Sequence, residues 1–145
     1  MRILVIGGDG YLGWPTAMHF SKIGDEVMVL DNFCKRRIEL EEGIEPLFRV
    51  HPLHQRVKVW RECTGKEIEI AVVDLLNPRA LNNVLADFQP EAIIHYGEQP
   101  SAPYSMRNRD AAVFTQYNNV IGNLNLLFAI QGRCPNAHLI KLGTM

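Results

Sequence analysis

The sequence predicts an α/β fold in which helices cover both faces of a doubly wound parallel sheet. Three observations predict it: short continuous aliphatic runs, helical segments between successive runs, and a glycine-rich loop after the first run. Strands that alternate with helices are typical of a parallel sheet, because parallel neighbours need crossover connections. We expect a single domain, since 145 residues are too few for two.

The first part of the chain predicts a strand at 2–6, a helix at 11–23 and a strand at 26–30. The predicted apolar face of this helix consists of Leu12, Ala17, Phe20 and Ile23. Residues 32–65 are less regular, with a basic cluster, an acidic cluster and two prolines. They predict a long excursion that contains one or two short helices.

The rest of the chain predicts strands at 68–73, 92–96 and 137–142, and helices at 78–88 and 110–131. A loop with two prolines is predicted after the fourth strand. The chain ends directly after the fifth strand, at the edge where active sites of open α/β sheets lie. We therefore expect that residues 1–145 are a partial dinucleotide-binding domain, truncated after its fifth strand.

Composition and charge exclude several classes of function. Lys and Arg number 15 and Asp and Glu 16, which argues against nucleic acid as a partner bound by bulk charge. No apolar run reaches the roughly 18 to 20 residues of a membrane span, and the N-terminal run is too short for a signal peptide. The three cysteines form no CxxC pair, so no metal site is predicted. We expect a cytoplasmic protein without a membrane partner.

The glycine-rich loop holds Gly7, Gly10 and Gly13 in the spacing GxxGxxG. Such a loop turns tightly, and its middle glycine lets the backbone approach a pyrophosphate. The helix that follows offers free N–H groups and the positive end of its dipole to phosphates. Its place between a buried strand and an amphipathic helix predicts a dinucleotide site.

Asp31 ends the second predicted strand, at the spacing where a carboxylate reaches the ribose hydroxyls of adenosine. A carboxylate there repels a 2′-phosphate and so favours NAD over NADP. Lys35 and Arg36 follow closely, and three interpretations stay open. They attract such a phosphate, contact the adenosine end of NAD, or form a solvated basic turn.

Asp74 and Leu75 end the third predicted strand, which lies beside the adenine in this topology. One interpretation is that Asp74 accepts a hydrogen bond from the exocyclic amine while Leu75 packs on the ring. The alternative is that Asp74 caps the helix that begins at Pro78.

Together with His95-Tyr96-Gly97 and Asn119-Val-Ile-Gly122, these motifs resemble the extended short-chain dehydrogenase/reductase family. Its members include NAD-dependent epimerases and dehydratases that act on nucleotide sugars. The resemblance runs through the whole chain. It implies an NAD(P)-binding Rossmann fold with NAD as the cofactor.

Residues 6–14, 60–69 and 97–106 narrow the resemblance to one branch of that family, which makes a sulfonated UDP-sugar. The implied activity converts UDP-glucose and sulfite, or a sulfite donor, into UDP-sulfoquinovose. Its implied steps are oxidation at C4, loss of water across C5 and C6, sulfite addition at C6 and reduction at C4. A homodimer that pairs through the long helix is also implied.

The resemblance implies cofactor contacts at Gly7, Gly10, Tyr11, Leu12, Gly13, Asp31, Asn32, Lys35, Arg36, Asp74, Leu75, Tyr96, Gly97, Glu98 and Asn119. It implies substrate contacts at Gln99, Ser101 and Thr144. Thr144 matches the first member of the family's catalytic set, which consists of Ser or Thr followed by Tyr and Lys in YxxxK. We expect its hydroxyl to bond the sugar O4.

The sequence departs from the family's pattern in two places. None of the four tyrosines is followed four positions later by lysine, so YxxxK is absent from the 145 residues. Pro100 stands where plant members of this branch carry arginine, and proline cannot donate a charged hydrogen bond. A related 4-epimerase or 4,6-dehydratase and a non-catalytic NAD-binding module therefore remain alternatives.

Overall fold

The computed structural model describes residues 1–143 and confirms the predicted parallel sheet. Its strands are β1 (Arg2–Ile6), β2 (Glu26–Asp31), β3 (Glu69–Val72), β4 (Ala92–His95) and β5 (His138–Lys141). Their order is β3-β2-β1-β4-β5, and all four pairings are parallel. Ile6 pairs with Leu30 on one side and His95 on the other, so the three central strands end at the same level.

The helices are α1 (Gly13–Ile23), α2 (Cys34–Glu42), α3 (Leu53–Thr64), α4 (Pro78–Phe88), α5 (Ala102–Ser105), α6 (Arg109–Gln116) and α7 (Gly122–Arg133). A π-helical turn at Tyr117–Ile121 joins α6 to α7. Among residues 1–143, no helix has both the length and the apolar character needed to cross a membrane.

The core has two halves because successive strand residues point to opposite faces of the sheet. On one face, α4 and α7 cover the strands through Leu4, Ile6, Leu30, Leu81, Leu85, Ile93 and Leu126. On the other, α1 and α3 cover them through Ile3, Val5, Ala17, Val27, Val29, Leu53 and Ile94. This double cover explains why the strands read as continuous aliphatic runs.

Local signals set several helix ends. Gly24 ends α1 in the left-handed conformation at φ 101°, which favours glycine. Asn77 caps α4 by accepting a hydrogen bond from the Ala80 amide, with Pro78 at the first helical position. The N-cap role predicted as an alternative for Asp74 was therefore wrong.

The predicted apolar face of the first helix was only partly right. Ala17 is buried, and Phe20 packs against the core. Leu12 is exposed because the helix begins at Gly13, which leaves Leu12 in the loop. Ile23 is exposed because it lies in the last turn of the helix.

The single helix predicted at 110–131 was wrong in its middle. The backbone widens into the π-helical turn at Tyr117–Ile121, which lets Asn119 hydrogen-bond the loop after β4. The loop predicted after the fourth strand also contains the short helix α5, which Ser101 caps through its side chain.

Candidate functional site

A cleft of about 740 Å³ opens at the carboxyl ends of the central strands. The chain passes from β1 to β2 on one side and enters β4 on the other, so the strand order reverses at β1. Ligands of open α/β sheets bind at such a reversal. The cleft is lined by the glycine loop, the end of β2, α2 and the loop after β4.

The glycine loop fits a pyrophosphate group. Gly7 has φ 83°, and a Cβ on it would lie 2.8 Å from the Tyr96 carbonyl carbon. A Cβ on Gly13 would lie 2.0 Å from the Gly7 oxygen, so only glycine lets the helix start pack so closely. A Cβ on Gly10 would meet only that oxygen within 4 Å, which leaves its face toward the cleft open.

The start of α1 adds to this anion site. Leu12 precedes the helix and provides no side-chain cap. The Trp14 amide donates to the Gly10 carbonyl at 3.2 Å, and Pro15 has no N–H. The Gly13 amide is therefore the first-turn donor that remains for a phosphate. Tyr11 and Leu12 line the cleft beside it. Backbone N–H groups at a helix N-terminus bind phosphates.

Asp31 lies at the end of β2 and lines the cleft. Its Oδ2 accepts a hydrogen bond from the Asp9 amide at 2.9 Å, and its Oδ1 accepts one from the Phe33 amide at 2.8 Å. Burial raises the pKa of Asp31, and these two bonds oppose that rise. A carboxylate has about four acceptor positions, so both oxygens can still accept ribose hydroxyls.

Asp9 lies inside the glycine loop and forms the centre of an ion cluster. The guanidinium of Arg36 donates to both of its carboxylate oxygens, and Arg56 donates to Oδ1. Arg56 also donates to the Asp9 backbone oxygen at 3.1 Å. The cluster links α2 and α3 to the glycine loop, which lines the cleft.

The two basic residues predicted near the adenosine differ in position. Lys35 lines the cleft and pairs with Glu39 one turn away. Arg36 is not among the lining residues, because its guanidinium is held by Asp9. The solvated-turn interpretation therefore fails for Arg36.

Asp74 and Leu75 also differ. Leu75 is buried and lines the cleft, and its contact with the adenine stays a prediction. The Asp74 carboxylate is engaged elsewhere: it accepts from the Asn32 side chain at 2.9 Å and from the Leu76 amide at 2.8 Å. Asn32 itself lines the cleft.

Asn119 fixes the loop that follows β4. Its side-chain oxygen accepts from the Gln99 amide at 2.9 Å, and its side-chain nitrogen donates to the Gln99 carbonyl at 3.0 Å. This pair of bonds is what a neighbouring strand would provide. Asn119 does not line the cleft, so it acts on the site through Gln99.

The predicted substrate side chains turn inward within the same loop. The Gln99 side chain accepts from the Ser101 amide at 2.7 Å and donates to the Ser101 carbonyl at 3.1 Å. The Ser101 hydroxyl accepts from the Tyr104 amide at 3.3 Å. Both residues line the cleft with Tyr96, Gly97 and Glu98. Thr144, predicted as catalytic, lies outside the described residues.

His95 is a buried polar residue at the end of β4. Its Nδ1 accepts a hydrogen bond from the Gly97 amide at 3.1 Å. Burial, and after it the nearby Lys141 ammonium, lower the pKa of His95 to about 4, while the Glu98 carboxylate opposes this shift. The imidazole is therefore neutral at pH 7 and braces the turn into the loop.

Sequence reasoning missed the residues that form ion pairs with partners far away in the sequence. Asp9 was not singled out although it lies between two loop glycines, a local signal that could have found it. Arg56 gave no signal, since it is 47 positions from Asp9. Arg107 and Glu42 both line the cleft and form an ion pair that joins α2 to the segment after α5.

The fold and the cleft together define an α/β domain of the dinucleotide-binding class. The chain belongs to the NAD dependent epimerase/dehydratase family, which it matches over residues 3–145. It is 44% identical over 99% of its length to the chloroplastic UDP-sulfoquinovose synthase of Spinacia oleracea. It is 39% identical over its whole length to the UDP-sulfoquinovose synthase of Sulfolobus acidocaldarius.

The chain spans about a third of these relatives, 30% of the spinach protein and 37% of the archaeal one. Among solved structures, it is similar to the UDP-glucose 4-epimerase of Bifidobacterium longum in complex with NAD⁺ and UDP. That likeness has a TM-score of 0.76 at 18% identity and covers 99% of this chain and 37% of the epimerase. It supports the fold.

Proposed function

We propose that the chain is the NAD-binding part of an enzyme that forms UDP-sulfoquinovose from UDP-glucose and sulfite. The identity of 44% and 39% to two UDP-sulfoquinovose synthases is the observation that carries this proposal. The cleft supports it, because its glycine loop and Asp31 suit a dinucleotide.

The residues of the cleft divide between the two ends of the cofactor. The loop from Gly7 to Gly13 holds the pyrophosphate, and Asp31 accepts from the adenosine ribose. Leu75 offers an apolar surface to the adenine, and Tyr96 lies on the β4 side of the cleft. When bound, NAD supplies the chemistry of accepting a hydride from the sugar C4 and returning it.

The loop after β4 serves the sugar. The proposed complex places the substrate against Gln99 and Ser101, whose side chains bond within the loop in this structure, and Asn119 keeps Gln99 in place. The hydroxyl of Thr144 hydrogen-bonds the sugar O4. The proposed sequence on the sugar is oxidation at C4, loss of water across C5 and C6, addition of sulfite at C6 and reduction at C4.

The general base of this reaction is not among the 145 residues, because none of their tyrosines stands in YxxxK. The chain alone should therefore bind NAD without turning over UDP-glucose. Loss of a general base typically costs about 10²- to 10⁴-fold in rate. Thr144 does not replace it, because its aliphatic hydroxyl is far less acidic than a phenol, stays protonated at neutral pH and is therefore no base.

The test has a binding arm and a product arm. Calorimetry measures NAD binding to the chain, which should fail in Gly10→Val. Mass spectrometry then measures the product that the whole enzyme, with this chain and the YxxxK segment, makes from UDP-glucose, NAD and sulfite. UDP-sulfoquinovose is the expected product, and Thr144→Ala should lower turnover more than NAD affinity. UDP-sulfoquinovose formation by residues 1–145 alone would contradict the assignment of the base.

A related 4-epimerase is the second candidate. Pro100 replaces the arginine of plant sulfoquinovose-forming members, and the chain is 31% identical over 131 residues to a UDP-glucose 4-epimerase of Schizosaccharomyces pombe. Omitting sulfite separates the two functions. An epimerase converts UDP-glucose to UDP-galactose without sulfite, whereas a UDP-sulfoquinovose-forming enzyme needs sulfite for its product.

We also propose that the protein is a homodimer and works in the cytoplasm. An apolar stripe runs along α6, the π-helical turn and α7, and is formed by Val113, Tyr117, Val120, Leu124 and Phe128, all exposed. Light scattering should give twice the protomer mass, and Phe128→Glu should halve it. The location stays a prediction, because the spinach relative is chloroplastic.

A further inference from the structure

We propose that Asp9 sets the cofactor preference against NADP. By this proposal, its carboxylate occupies the guanidiniums of Arg36 and Arg56, which would otherwise bind a 2′-phosphate. The inference rests on the proposed NAD binding. It adds that the site binds NADP weakly and that Asp9 is the residue responsible.

The first support is that one carboxylate engages both cations. Arg36 donates to Asp9 through two nitrogens, and its Nη2 lies 3.0 Å from Oδ1. Arg56 donates through Nη2 to Oδ1 and, at 3.1 Å, to the Asp9 backbone oxygen. The side chains of Asp9, Arg56 and Arg36 are 9%, 15% and 30% exposed, so water screens this cluster weakly.

The second support is the position of the cluster. The Asp9 amide donates to Asp31 Oδ2 at 2.9 Å, so the cluster adjoins the carboxylate that we expect to bind the ribose. Two guanidiniums and two carboxylates balance in charge there. A 2′-phosphate would bring a further negative charge to Asp31, while Asp9 occupies both guanidiniums and Glu39 pairs with Lys35, which disfavours the phosphate.

The third support is that other contacts hold both arginines in place. Arg36 donates to the Val50 carbonyl at 3.1 Å and to the His51 carbonyl at 3.0 Å. Arg56 lies over the Trp14 ring, with its guanidinium carbon 4.9 Å from the ring centroid. Neither arginine lines the cleft, but both bond the Asp9 carboxylate, which does, so removing its charge leaves two positioned guanidiniums next to the cleft wall, an arrangement suited to phosphate.

The experiment measures dissociation constants by calorimetry for NAD, NADP and adenosine 2′,5′-bisphosphate. Asp9→Asn keeps the shape of the side chain and removes its charge. We expect its affinity for NADP and for the bisphosphate to rise about tenfold or more, the effect of one charge-assisted hydrogen bond. Adding Arg56→Gln to Asp9→Asn should remove most of that gain.

Glu41→Gln is the matched control. It removes one negative charge from the same helix as Arg36 and releases another arginine, Arg37, on an exposed face. We expect it to change NADP affinity less than about twofold, because exposed charges are screened. An equal gain in this control would mean that net charge alone raises affinity, and would overturn the proposal.

Two further results would also overturn it. One is an Asp9→Asn variant that binds NAD as before and shows no gain for NADP, which leaves the proposed function intact. The other is a folded variant that binds neither dinucleotide, which would make Asp9 a brace for the loop. If Asp9→Asn does not fold, Asp9→Ser provides the same test. A parent protein without NAD affinity would refute the proposed function and this inference with it.

Discussion

Acidification should destabilise the protein through His95. The folded state keeps this imidazole neutral, with a pKa of about 4, whereas 6.5 is the usual value that applies in the unfolded chain. Between these values the unfolded chain binds the proton more readily than the folded one. The stabilisation is thus complete above about pH 6.5 and is lost as the pH falls toward 4.

The magnitude follows from the two pKa values. Moving from pH 7 to pH 5 should lower the free energy of unfolding by about 2 kcal/mol through His95 alone. The whole shift corresponds to about 3 kcal/mol, most of it lost by pH 4. The physical cost is a charge in a buried position at the end of β4, beside the Lys141 ammonium.

The assay is urea denaturation at pH 7 and pH 5 of the parent and of His95→Asn. The asparagine oxygen can accept from the Gly97 amide as Nδ1 does, and it does not titrate. The parent should lose about 2 kcal/mol more than this variant between the two pH values. His54→Asn, at an exposed position, should behave like the parent. Equal losses in the parent and His95→Asn would refute the reasoning.

Three further predictions concern the cleft and the core. Gly10→Val should leave the fold intact and abolish NAD binding, because its branched side chain would fill the open face of the loop; unchanged affinity in calorimetry would contradict this. Asp31→Ala should lower the binding affinity for NAD by about 10- to 100-fold, which corresponds to the 1.5–3 kcal/mol of a charge-assisted hydrogen bond. It should also reduce the difference between the affinities for NAD and NADP. Leu126→Ala should destabilise the protein by about 2–5 kcal/mol in denaturation, whereas Leu127→Ala, at a half-exposed position, should cost much less.

The strands could be predicted because their signal is local. Burial on both faces demands continuous aliphatic residues, so β1 was placed at its observed bounds and β2 within one residue. The π-helical turn was beyond such reasoning. Apolar residues keep a helical spacing through it, and the contact made from it, between Asn119 and Gln99, joins residues 20 positions apart.

The residues of the candidate site also differ in how far the sequence predicts them. The glycine loop and Asp31 are readable because a short motif fixes both the turn and the groups beside it. The ion cluster is not readable, because nothing in the sequence relates Asp9 to Arg56 before the chain folds. The role of Arg36 changed for this reason, from a residue facing the cofactor to one held by Asp9.

The excursion from α2 to α3 has a consequence for hydrogen exchange. Helix α2 contains no buried residue, so its attachment to the rest of the protein depends largely on polar contacts, those of Arg36 and the ion pair between Glu42 and Arg107. Segments with few buried apolar contacts open at a lower free-energy cost than the global unfolding. Amides of α2 should thus exchange while those of β1 and β4 stay protected, and the opening of α2 would uncover the adenosine end of the cleft. Cofactor exchange can then proceed through a local opening of the domain whose sheet remains folded.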